Sequence, residues 1–185
     1  MSVLGYRDYR PKLHYTPPKG WINDPNGLVF DGKEYHLFAQ HYPDATHPGP
    51  MHWLHAVSAD LIRWRQLGIA LAPDELGFIF SGSAIVDTNN TSGLGLGGDP
   101  MTDSQNPSLL IAMFTYHGET EQQSIAYSND GVNFIKYSRN PVIKNPPYEN
   151  TSKNSLGGSQ SNMFDNYEGF YGKVEDSTAF LQILI

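Results

Sequence analysis

The residues with most chemical content stand together near the N-terminus, in Gly20-Trp21-Ile22-Asn23-Asp24-Pro25-Asn26-Gly27. Pro25 crowds the backbone before it and pushes Asp24 out of the helical region into an extended conformation. Asn26-Gly27 is a dipeptide that turns a chain sharply. The combination predicts a carboxylate held on a stiff strand edge, with Trp21 as a stacking surface and two amides nearby as donors. A nucleophile needs such preorganisation, because a mobile carboxylate must be ordered before it can attack. The same residues would also build a plain β-turn closed by an Asx hydrogen bond, and local chemistry leaves both readings open.

Other groupings are less pointed. His47, His52 and His55 fall within nine positions, but a strand over 52–58 puts His52 and His55 on opposite faces, against a shared ion. Asp99 and Asp103 among loop glycines, and Glu119 and Glu121 near the end of a strand, read as solvated loop charges. No metal or other cofactor is called for.

These residues have to be positioned by strands. Leu28-Val29-Phe30, an Asp31-Gly32 turn and Tyr35-His36-Leu37-Phe38-Ala39 predict a hairpin. A third strand is expected at 52–58 and a fourth near 64–70, whereas 86–107 and 144–169 are rich in Gly, Asn and Ser and read as loops. The segment His55-Ala56-Val57-Ser58-Ala59-Asp60, running on to Trp64, recurs as Ile125-Ala126-Tyr127-Ser128-Asn129-Asp130, running on to Phe134. Upstream, Phe38 and Phe114 hold matching places. A strand–strand–turn–strand unit with an Asp-based turn is what a propeller blade looks like in sequence.

Composition agrees with many short strands. Of 185 residues only 17% are charged, while 18 Gly, 13 Pro and 12% aromatics favour turns and stacked surfaces over a helix bundle. The net charge of −7 argues against gripping a nucleic-acid backbone or an anionic membrane. Without cysteine there is no thiol or disulfide chemistry. Residues 1–15 hold no apolar stretch of signal-peptide type, so a cytoplasmic chain is expected. An acidic, aromatic-lined β-protein of this kind suits neutral polar ligands, sugars among them.

The chain resembles family 32 of the glycoside hydrolases: invertases, inulinases, levanases and related fructosyltransferases. Leu13-His14-Tyr15-Thr16-Pro17-Pro18 followed by Gly20 to Gly27 is similar to the family's nucleophile motif, and Phe38-Ala39-Gln40 to a strand whose Gln binds substrate. Met51-His52-Trp53-Leu54-His55-Ala56 is similar to a block usually written Trp-Gly-His-Ala, with Leu54 for the Gly. Leu71-Ala72-Pro73-Asp74, Phe80-Ser81-Gly82-Ser83-Ala84 and Gln123 to Gly131 running into Asn140-Pro141-Val142-Ile143 also fit. The resemblance implies an all-β, five-bladed propeller with its site at one end of the central funnel, and a retaining mechanism with two carboxyl groups about 5–5.5 Å apart. Asp24 would be the nucleophile. Gln40, Trp53, Ser83 and Asn23 would grip fructosyl hydroxyls, and Trp21 and Phe80 would shape the apolar wall.

The match then thins. The family's Arg-Asp-Pro and Glu-Cys motifs, which carry the transition-state stabiliser and the acid/base, have no counterpart here, and Glu175 is a weak candidate for the acid. We expect a single truncated propeller domain over 1–185, with blades at about 20–72 and 78–143, a partial third at about 156–185, and no C-terminal β-sandwich. Open blade edges would favour a homodimer. The expected function is a β-fructosidase on sucrose or fructans, by hydrolysis or transfer. The alternative is a catalytically impaired sugar-binding module or a relic of such an enzyme.

Overall fold

The computed structural model describes residues 10–11, 13–96 and 109–144, and the regular structure among them is entirely strand. One antiparallel sheet runs in the order β1 (Trp21–Phe30), β2 (Tyr35–Tyr42), β3 (His52–Ser58) and β4 (Arg65–Leu71). A second follows with β5 (Phe78–Val86), β6 (Leu110–His117), β7 (Glu121–Ser128) and the short β8 (Ile135–Lys136). Two successive four-stranded meanders laid face to face are blades of a β-propeller, so the fold is all-β and propeller-like. The expected third unit, with Glu175, lies outside the described residues, as do Asp99 and Asp103.

The repeat seen in the sequence is physical. In the first sheet the Asp60 carboxylate accepts the backbone N–H groups of Ile62 and Arg63 at 2.9 and 2.7 Å. In the second, Asp130 accepts those of Val132 and Asn133 at 2.8 and 2.7 Å. Ser58 and Ser128 donate their hydroxyls to the same carboxylates at 3.1 and 2.9 Å. These bonds hold both carboxyls below the usual range, to about 2 for Asp60.

Two local expectations need correction. The loop between β1 and β2 runs over 31–34, because Asp31 Oδ1 accepts the N–H groups of both Lys33 and Glu34 at 2.7 Å and closes a wider turn. Asn26-Gly27 does not reverse the chain: residues 21–30 form one strand, and the turn chemistry is spent on irregularities within it.

The core lies between the sheets, where Phe38, Trp53 and Leu71 meet Ile79, Ala84, Ala112, Phe114 and Tyr116. Each large apolar side chain removed from water here contributes about 1.5–3 kcal/mol. A polar clasp fixes the connection from β4 to β5. The Tyr116 hydroxyl donates to Asp74 Oδ2 at 2.5 Å, and the Lys136 ammonium bonds Asp74 and the Ala72 carbonyl. Burial alone would raise the Asp74 carboxyl, but Lys136 and Tyr116 bring it below its ordinary value. Burial and the facing carboxylate push the Tyr116 phenol upward.

Candidate active site

Strand irregularities build this region. On β1, Ile22 pairs with His41 and Pro25 with Ala39, so Asn23 and Asp24 together stand opposite the single residue Gln40. That is a β-bulge, which bends a strand and re-aims its side chains. A second follows, with Gly27 and Leu28 opposite Leu37 alone. Gly27 has a φ of 55°, and a Cβ there would meet the Phe38 ring at 2.7 Å, so the position admits only glycine. On β5, Phe80 pairs with Thr115 and Gly82 with Phe114, leaving Ser81 as the extra residue.

Side chains lash the bulged strands together. Asn26 Oδ1 accepts the Gly82 N–H at 3.1 Å, while its amide donates to the Asp24 carbonyl at 3.0 Å. Trp53, which pairs with Gln40, donates its indole N–H to the Phe80 carbonyl at 3.0 Å. Further along, a Cβ on Gly27 would lie 3.2 Å from Ala84. Contact thus advances along both strands in the same direction, which puts Asp24 at the level of Phe80 and Ser81.

Asp24 is half-buried on β1. The Trp21 indole N–H donates to Asn23 Oδ1 at 2.8 Å, which turns the exposed Asn23 amide nitrogen outward. Gln40 is buried, and its Nε2 has no hydrogen-bond partner among the described residues; the same holds for the Ser81 hydroxyl. An unpaired buried polar group costs roughly 1–3 kcal/mol, so these two are where a polar ligand has most to gain.

The structure separates other expected members. Trp53 is fully buried and its only donor is taken by Phe80, so it cannot offer the indole N–H to a sugar hydroxyl and instead positions the Phe80 backbone. Phe80 is half-buried and stacks flat on His117, with centroids 4.2 Å apart. Ser83 pairs with Met113 on the face turned away from the first sheet, since its neighbour Ala84 lies in the inter-sheet core. The serine of this segment with a buried, unpartnered hydroxyl among the described residues is Ser81, the extra residue of the β5 bulge. The resemblance pointed to Ser83 instead; Gly82, with no room for a Cβ beside Met113, is the signal of close backbone approach that marks the bulge. His41 was also missed: it is buried and donates from Nδ1 to the Trp21 carbonyl at 2.6 Å, anchoring the start of β1. Glu119 is exposed, and Glu121 lies 3.4 Å from the His117 ring. His52 donates to the Pro50 carbonyl on the face opposite His55.

The model of the glycosyl hydrolases family 32 N-terminal domain matches residues 14–154. The chain belongs to this family. It is 55% identical over 141 residues to the levanase of Bacillus subtilis, covering 75% of this chain and 20% of that protein. It is 46% identical over 142 residues to an invertase of Schizosaccharomyces pombe, covering 72% and 24%. Among solved structures, the β-fructofuranosidase of Schwanniomyces occidentalis complexed with fructosyl-erythritol superposes with a TM-score of 0.65 at 44% identity, covering 73% of this chain and 27% of that one. The chain therefore spans about a quarter of the length of the relatives it matches.

Proposed function

We propose that this chain carries the nucleophile and fructosyl-holding part of a retaining β-fructosidase acting on sucrose or fructans. The observation that carries this reading is the bulge that sets Asn23 and Asp24 opposite Gln40, whose buried Nε2 has no partner among the described residues, together with the bulge at Ser81 on β5. Kinship with a levanase and an invertase supports the substrate class.

In the proposed step the Asp24 carboxylate attacks the fructosyl anomeric carbon and forms an ester as the glycosidic C–O bond breaks. The departing oxygen takes a proton from a carboxylic acid, and water or a sugar hydroxyl later reopens the ester. Asn23, Gln40 and Ser81 hold hydroxyls, Trp21 and Phe80 supply apolar faces, and Trp53 fixes Phe80. Sugars are neutral and amphipathic, which suits aromatic faces interleaved with amide and hydroxyl groups. Fructose release from sucrose and inulin by the wild type, falling to background in Asp24→Asn, is the expected result. Equal release by both proteins would remove Asp24 from the mechanism. Background release by both, with fructose binding retained, would favour a sugar-binding module.

A further inference from the structure

The core between the sheets contains a polar pair that the sugar site does not use. His36 on β2 and His55 on β3 are 3% and 1% exposed, and His36 Nδ1 lies 2.9 Å from His55 Nε2. His36 Nε2 lies at ion-pair distance from Asp31 Oδ2, 3.4 Å, without making a hydrogen bond, and His55 Nδ1 is buried with neither an ion-pair nor a hydrogen-bond partner among the described residues. The Asp31 carboxylate favours one neutral arrangement. His36 carries its proton on Nε2, toward Asp31, and accepts at Nδ1 the proton that His55 holds on Nε2. His55 Nδ1 is then a bare lone pair. Both rings are neutral.

The pair sits where the two sheets touch. The His55 ring stacks on Phe38 at 4.2 Å, and Phe134 of the second sheet's β7–β8 connection meets His55 and Phe38 edge-on at 5.8 and 5.3 Å. Gly131 of the same connection leaves no more than van der Waals space beside His36. Phe38 in turn packs on Trp53, which holds the Phe80 carbonyl.

We propose that His36 and His55 form an acid-released latch between the two sheets. One extra proton can enter only by placing an N–H at the buried His55 Nδ1, which has no partner among the described residues, whichever ring keeps the shared proton. A second proton sets N–H against N–H across 2.9 Å. The charged groups around the pair do not relieve this. Asp31 and Glu34 favour charge on His36 alone, Arg65 opposes charge on His55, and Phe134 and Gly131 bring none from the second sheet. Asp130, in the same connection, spends its carboxylate on Ser128, Val132 and Asn133. Burial pulls both imidazoles below their ordinary value, His55 to about 3.

The sign follows from proton counting. The unfolded chain protonates these rings near pH 6.5 and the folded chain does not, so stability is full above that pH and declines as pH falls toward the folded values. Each proton refused by the fold raises the unfolding constant about tenfold between pH 7.5 and 5.5.

The test is equilibrium unfolding of the full chain in urea at pH 7.5 and 5.5, for the wild type and for His36→Leu/His55→Leu. The carboxylates bind few protons in this interval. The wild type should lose at least about tenfold more in its folding constant than the double variant does. Equal losses overturn the latch. Imidazole ¹⁵N shifts of the wild type provide a reading that needs no variant. His55 should stay neutral, with its proton on Nε2, down to pH 5, and a free titration near pH 6.5 overturns the proposal.

Discussion

The first sheet turns His36, Phe38, Gln40, Trp53 and His55 toward its neighbour; the second turns back Ile79, Ala84, Ala112, Phe114, Tyr116 and Ala126. Both follow one strand order and one Asp-based turn, yet the first buries imidazole and amide groups beside its aromatic rings, where the second buries aliphatic and aromatic groups with the small hydroxyl of Ser124. The polar sheet also carries Asp24, and its inner strand has two bulges against one in β5. The contrast teaches a division of labour. The apolar side chains of both faces supply the association energy, which on the first sheet also holds imidazole and amide groups out of water. Buried polar groups are costly alone, so they survive only against a rigid partner.

The comparison can be broken where the bulges interlock. Gly82 packs against the Met113 carbonyl with no space for a methyl group, so Gly82→Ala forces β5 off β6 and away from Asn26. We expect a loss of about 3 kcal/mol, at the upper end for overpacking, read as a lower urea midpoint. A change confined to the link between the sheets is smaller. Trp53→Phe keeps an aromatic ring but strands the Phe80 carbonyl and opens a void, at a cost of about 2 kcal/mol. Stability unchanged in this variant would show that the indole bond does not hold the sheets in register.

The smallest effect sharpens the comparison by making the first sheet's turn like the second's. Leu61 has a φ of 61° where the repeat places Gly131 at 71°. A left-handed backbone strains leucine and not glycine. Leu61→Gly should therefore gain about 0.5–1 kcal/mol, seen as a rise of a few degrees in Tm. A fall in Tm would mean that the half-buried Leu61 side chain contributes more than its backbone costs.

Much of this was legible in the chain. The offset of 70 between the Asp60 and Asp130 turns marked two equal units, because a turn locked by a carboxylate needs the same few residue types each time. Pro25 after Asp24 marked an extended carboxylate. Reading Asn26-Gly27 as a reversal failed because the Asn26 side chain finds its partner on Gly82, 56 residues away, and the strand is completed by β2. Ser83 was named from the family resemblance, and the bulge at Ser81 that turns the neighbouring side chains is a property of the β5–β6 register.

By itself, then, the sequence determined which residue types could do chemistry, that they lie on strands, and that the strands come in repeated fours. These are local properties, set by backbone sterics, alternation and turn chemistry. Only the tertiary structure decided which groups meet: Asp24 opposite Gln40, the Trp53 indole on the Phe80 carbonyl, and two imidazoles sharing one hydrogen bond beneath Phe134. Such meetings depend on register and on the packing of one sheet against another. A single inserted residue in a strand changes both, and composition and spacing do not record on which strand the insertion is accommodated.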